Sequence, residues 1–142
     1  LPSPDPSAAA GWLEGLSPHP PSAELGPLQL AWLGDAVWEL HQRLLRCRRP
    51  GRSADLHAAV VGAVKAEAQA RALQWLEPRL SDEERELVRR GRNRAGRGPR
   101  RGDPGLYGQA TGFETMLGWL FLQNPKRLAE LLDLLEKYQS VP

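Results

Sequence analysis

The chain has 142 residues, 41% of them hydrophobic and 25% charged, which suits one globular domain and leaves no room for a second of any size. No apolar run approaches the length needed to cross a bilayer, so no membrane partner is expected. The single cysteine, Cys47, excludes an internal disulfide framework or a multi-cysteine metal cluster and suits a reducing compartment. The net charge of +2 hides a strong division: five acidic and no basic residues in 1–39, sixteen basic against seven acidic in 40–102, and three against five in 103–142. Basicity concentrated in the middle of a chain is the footprint of a polyanionic partner, although a solvated basic surface gives the same count.

Seven of the thirteen prolines lie in the first 27 residues, so residues 1–26 are expected to form an arm, with at most one docking turn through Trp12, Leu13 and Leu16. The absence of Lys or Arg before Arg43 does not fit a secretory or arginine-rich leader. Residues 27–142 form the domain. From Pro27 to about Arg46, Leu30, Leu33, Val37, Leu40 and Leu44 recur at helical spacing, and Pro50 and Gly51 end the run. A second helix is predicted from an N-cap at Ser53 through Leu56, Val60, Val64, Ala68, Ala72 and Leu76, closed by Pro78. Ser81 with Glu84 forms a capping-box pattern that opens a third helix reaching Arg90, with Gly91 as its stop.

Residues 91–106 hold five glycines, two prolines and a run of arginines, and are predicted to be an irregular, arginine-rich loop. The fourth helix, about Tyr107 to Gln123, is apolar nearly all round, the pattern of a central buried helix. Asn124-Pro125 then starts a last amphipathic helix with Leu128, Leu131, Leu132 and Leu135. Period-two runs of β-branched residues are lacking, so the fold is expected to be all-α.

Two carboxylates stand out. Asp35 lies opposite the Leu30, Leu33, Val37 and Leu44 stripe, on a face with Ala31, Glu39, Gln42 and Arg46. By pattern alone that is a solvated polar face, but Gly34 in mid-helix costs about 1 kcal/mol relative to alanine and calls for a packing or functional reason. Glu114 is the only ionisable residue between Asp103 and Lys126, inside the most apolar helix. A carboxylate there must be paired, protonated or metal-bound, and an ion pair with an arginine is the structural alternative. If the two meet beside water they form an oxygen-ligand site suited to magnesium and phosphodiester chemistry.

Arg43, Arg46, Arg48, Arg49 and Arg52 form one basic cluster, and Arg89, Arg90, Arg92, Arg94, Arg97, Arg100 and Arg101 a second. Arginine favours bidentate phosphate contacts. His19, His41 and His57 lack ligand or triad spacing, with His57 read as packing or capping, and the five tryptophans suit core or interface roles better than base stacking.

The run Leu30-Ala31-Trp32-Leu33-Gly34-Asp35-Ala36-Val37-Trp38-Glu39 resembles the signature helix of the ribonuclease III superfamily. Thr111-Gly112-Phe113-Glu114-Thr115-Met116-Leu117-Gly118 resembles its second metal-binding motif. Val64, Ala66, Gln69 and Ala70, the tetrad Arg90-Gly91-Arg92-Asn93, and Tyr107 extend the likeness over about residues 27–136. The branch most similar is Mini-ribonuclease III, a catalytic domain without a double-stranded-RNA-binding domain. The resemblance implies a ribonuclease III-like helical bundle in a two-fold homodimer whose signature helices pair. It implies Asp35 and Glu114 as catalytic residues and ligands of magnesium, which activates water for attack on phosphorus, and RNA contacts from Arg90, Arg92, Asn93, Arg94, Arg97, Arg100 and Arg101.

The superfamily pattern has glutamate at Ala31, aspartate at Thr111 and a basic residue at Gly108. Mini-ribonuclease III is similar to this chain at the first two positions, and fewer ligands imply a more loosely held metal. The implied activity is a magnesium-dependent endoribonuclease that cuts double-stranded RNA, leaving 5′-phosphate and 3′-hydroxyl ends, and matures the 5′ and 3′ ends of precursor 23S (large-subunit) ribosomal RNA. Its setting would be a cytoplasm, or a plastid stroma in a photosynthetic eukaryote, with ribosomal proteins as further candidate partners. The residues by themselves also admit a non-catalytic basic helical RNA-binding or ribosome-assembly factor, and a protein-interaction module docking through Trp and Leu faces.

Overall fold

The computed structural model describes residues 25–48 and 62–140. Residues 1–24 of the expected 1–26 arm, with Trp12 and His19, together with Arg49, Arg52, His57 and the expected start of the second helix at Ser53, lie outside the described residues. Within them every regular element is helical: α1 (Pro27–Cys47), α2 (Gly62–Leu76), a 3₁₀ turn (Glu77–Arg79), α3 (Asp82–Arg94), α4 (Pro104–Gln123) and α5 (Pro125–Ser140). No helix among the described residues is long and apolar enough to cross a membrane.

Helix starts follow local chemistry. At α1, Pro27 occupies the first turn and the Gln29 side chain accepts from the Gly26 amide at 3.0 Å. At α3 the capping box forms as expected: Ser81 Oγ accepts from the Glu84 amide at 3.1 Å and Glu84 accepts from the Ser81 amide at 2.8 Å. Asn124 Oδ1 accepts from the Arg127 amide at 3.2 Å, opening α5.

Two boundaries differ from expectation. Gly91 does not stop α3, which continues to Arg94, because the missing side chain is a packing feature: a Cβ there would collide with Thr115 and press on the Gly112 Cα at 3.0 Å. α4 starts at Pro104 rather than Tyr107, because Asp103 caps it by accepting from the Gly105 amide at 2.8 Å. The irregular segment therefore shrinks from 91–106 to 95–103. It turns on two glycines with positive φ, Gly96 at 69° and Gly98 at 77°.

α4 is the central helix. It packs against α1, α2, α3 and α5 and buries Phe113, Met116, Leu117 and Leu120 almost completely. Around it gather Trp38, Leu73, Leu76, Leu80, Leu87, Val88, Leu128, Leu131 and Leu135, with Trp38 and Phe113 edge to face at 5.4 Å. α5 is tied to α3 by Arg127, which donates to both oxygens of buried Glu84 at 2.8 and 3.0 Å and to the Arg79 carbonyl at 2.9 Å. That guanidinium lowers the Glu84 pKa below the usual carboxylate range.

The apolar stripe of α1 does not all enter this core. Leu30, Ala31, Gly34, Trp38 and Leu45 are buried, whereas Leu28, Trp32, Leu40 and Leu44 are 49%, 83%, 38% and 45% exposed. With exposed Ala36 these form a line along one outer face, spaced every four residues. The helix has two apolar faces, and α4 takes the one rich in small residues.

Candidate functional site

α1 and α4 cross backbone to backbone. A Cβ on Gly34 would collide with the Glu114 carbonyl, and one on Gly118 with the Leu30 carbonyl; only glycine at both positions permits the approach. The Thr115 hydroxyl spans the contact, 2.9 Å from the Thr111 carbonyl and 3.0 Å from the Pro27 carbonyl of α1. The residue after Gly34 on α1 is Asp35, and the crossing brings it within hydrogen-bonding reach of Glu114. This is the packing reason for the mid-helix glycine.

The surroundings make Glu114 an unusual acid. Burial foremost, then the charge of Asp35 and a hydrogen bond shared with it, push its pKa from 4.5 up to about 8, against smaller opposing contributions from Lys65 and Gln69. Among the described residues no arginine pairs with Glu114; the cation acting on it is Lys65 of α2. Asp35 is likewise no solvated bystander: its side chain stays 39% exposed but is ion-paired through Oδ1 with Lys65 Nζ. Lys65 also lies 2.8 Å from Glu39 Oε1, one turn along α1. Burial works against the Lys65 ammonium, but hydrogen bonds to Asp35 and Glu39 and their charges outweigh it and raise its pKa. Gln69, one turn after Lys65, is 1% exposed; its Nε2 makes no full hydrogen bond, yet its amide lies near enough to favour the Glu114 anion.

The site is therefore a partly exposed, oxygen-rich cluster with Asp35 and Glu39 from α1, Lys65 and Gln69 from α2, and Glu114 from α4. Lys65 is the group that sequence reasoning missed. Its signal was faint: it is the sole lysine among the sixteen basic residues of 40–102. Hard carboxylate oxygens crowded together without enough positive charge suit a hard divalent cation. Among the described residues no three such groups converge to enclose one by themselves, so water or substrate oxygens must complete the shell.

The second arginine cluster runs along the end of α3 and the segment after it. Gly91 packs on Gly112 and Thr115, the latter adjacent to Glu114, so Arg90 and Arg92 leave α3 near the crossing. Arg90, Arg92, Asn93, Arg94, Arg100 and Arg101 are exposed. The Arg97 guanidinium folds back onto its own loop, donating to the Pro99 and Arg100 carbonyls at 2.6 and 3.1 Å. A Cβ on Gly108 would lie 3.4 Å from Arg92 Cγ, so the place where a basic residue was expected is crossed by an arginine from α3. In the first cluster, Arg43 and Arg48 reach Glu39 and Glu136 at 3.7 and 3.5 Å.

The ribonuclease III domain matches residues 28–125, a span that contains the crossing and both carboxylates. The chain is 47% identical over 133 residues to a Mini-ribonuclease 3 of Synechocystis sp., covering 92% of this chain and 93% of that relative. It is 54% identical over 110 residues to a Mini-ribonuclease 3 of Synechococcus sp., covering 78% and 80%. A crystal structure of a Fusobacterium nucleatum protein superposes with a TM-score of 0.70 at 25% identity, covering 82% of this chain and 95% of that one. A helical bundle with two carboxylates at a glycine crossing is thus the catalytic domain type of the ribonuclease III endoribonucleases, and within that family the chain belongs to the Mini-ribonuclease 3 branch.

Proposed function

We propose that this chain is a magnesium-dependent endoribonuclease that cuts double-stranded RNA and matures the 5′ and 3′ ends of precursor 23S ribosomal RNA, acting in a cytoplasm or a plastid stroma. The observation that carries the reading is the convergence of Asp35 and Glu114 at the Gly34–Gly118 crossing, beside solvent. Asp35 and Glu114 hold the metal; when bound, magnesium supplies Lewis-acid activation of water and charge neutralisation. Without it, Glu114 keeps its proton at neutral pH. Arg90, Arg92, Asn93, Arg94, Arg100 and Arg101 grip the phosphates of a duplex, and Arg97 shapes the loop that presents them. A-form RNA offers a wide shallow minor groove, so selection rests on shape, phosphates and 2′-hydroxyls.

The exposed line Leu28, Trp32, Ala36, Leu40 and Leu44 supports a homodimer in which the α1 helices pair. Hydrolysis by each subunit then leaves a 5′-phosphate and a 3′-hydroxyl on one strand. The test is cleavage of an end-labelled RNA duplex by wild type and Asp35→Asn, with magnesium and with chelator, beside a filter-binding control. Wild type should cut only with magnesium, and Asp35→Asn should bind without cutting. Cleavage retained by both Asp35→Asn and Glu114→Gln overturns the assignment; binding by wild type without cutting under any metal replaces it with a non-catalytic RNA-binding role.

A further inference from the structure

The Lys65 ammonium joins two carboxylates of α1 that lie one turn apart, bonded to Asp35 Oδ1 and 2.8 Å from Glu39 Oε1, with its side chain only 22% exposed. Arg43 reaches Glu39 too, at 3.7 Å and from a largely exposed position. Asp35 thus has two companions, Lys65 on one side and Glu114 on the other. With Glu114 ionised, Asp35, Glu39 and Glu114 carry three negative charges; Lys65 and the exposed Arg43 both engage Glu39, so the charge left for a divalent cation to neutralise rests on Asp35 and Glu114. Glu39, engaged by the ammonium, is held off the Asp35–Glu114 pair, in keeping with the lack of a three-ligand cluster among the described residues.

We infer that Lys65 is a positioning residue that serves as the resident cation of this site: it withholds Glu39, competes with a divalent ion for Asp35, and limits the site to one loosely held ion per chain. The inference rests on Asp35 and Glu114 being metal ligands. It assigns to Lys65 no contact with the reacting phosphate. The effect is electrostatic, because an ammonium a few ångströms from a divalent cation repels it strongly in a partly buried cluster.

The test counts bound Mn²⁺ by the loss of its free electron paramagnetic resonance signal, using the whole chain and the variants Lys65→Met, Lys65→Gln, Lys65→Arg and Asp35→Asn. Wild type should bind one Mn²⁺ weakly, and Asp35→Asn should abolish that binding. Lys65→Met should bind its first ion about 10-fold more tightly and admit a second through the released Glu39. Lys65→Arg, which keeps the charge, should stay near wild type. Lys65→Gln keeps donors for both carboxylates without the charge and serves the same comparison if the methionine variant does not fold. Wild-type binding that Asp35→Asn removes, together with folded neutral variants that bind no more tightly, sinks the role of Lys65 and leaves the metal site standing. No Mn²⁺ bound by wild type at all sinks both.

Discussion

Replacing Glu114 by glutamine should stabilise the metal-free protein, by an amount that grows with pH. In the folded chain the Glu114 pKa is raised from 4.5 to about 8, with burial as the main cause. A carboxyl whose folded pKa is raised binds its proton more tightly in the native state, so stability falls as pH rises from about 4.5 through about 8 and levels off above. Each pKa unit corresponds to about 1.4 kcal/mol. The wild type at pH 7 thus carries a penalty of about 3 kcal/mol, approaching 5 kcal/mol above pH 8. Glutamine, which resembles the neutral acid in size and cannot ionise, escapes it. Urea denaturation of both proteins from about pH 5 to about pH 9, in chelator, gives the difference curve: near zero at the acid end and rising to several kcal/mol at the alkaline end. Other titrating groups, such as His41, whose pKa burial lowers, cancel in that difference. Repeating the series with magnesium should recover stability above neutral pH in the wild type and much less in Glu114→Gln, because the ion favours the anionic carboxylate. A difference that stays flat across the range would show that Glu114 ionises freely, and the argument from crowding at the crossing would fail.

Gly34→Ala and Gly118→Ala should each lower stability by about 3 kcal/mol or more in thermal unfolding, since each methyl meets a backbone carbonyl rather than a flexible side chain; a loss under 1 kcal/mol would contradict the tight crossing. Trp32→Arg and Leu40→Glu should convert a dimer to a monomer in sedimentation while leaving the helical circular dichroism signal intact, because both side chains are exposed in the single chain; unchanged mass would remove α1 as the pairing surface. Arg127→Met should cost about 2 kcal/mol at pH 7 by leaving buried Glu84 without its partner. Because the folded pKa of Glu84 is lowered, that difference belongs to pH above about 4.5 and should shrink as acid protonates the carboxylate; equal stability of the two proteins at pH 7 would refute it. Arg92→Ala with Arg100→Ala should weaken duplex binding and flatten its salt dependence by about two units of slope, and an unchanged slope would remove them from the interface.

Much of the fold could be read from local signals because local chemistry makes them. Pro27, the Ser81–Glu84 box and Asn124-Pro125 each satisfy or remove orphan amides within a few residues of sequence, and the structure starts helices at all three. The apolar character of α4 announced its central place, since no other position hides such a helix from water. Residue type also marked Glu114 as costly in an apolar helix, and Gly34, next to Asp35, as a mid-helix glycine that calls for a reason.

Only the tertiary structure decided where these costs are met. Glycine ends helices and also lets helices touch, and Gly91 does the second because Gly112 and Thr115 of α4 lie against it. Which apolar face of α1 turns inward is a matter of fit: the line of Ala31, Gly34 and Trp38 admits the backbone of α4 at Gly118, which bulky Leu40 and Leu44 cannot. The placement of Lys65 between Asp35 and Glu39 depends on how α2 settles across α1. An ion pair between residues thirty apart leaves no periodicity in the chain. Composition and spacing determine which helices form and which groups are expensive to bury, whereas packing determines which of those groups meet, because close approach depends on shape across helices.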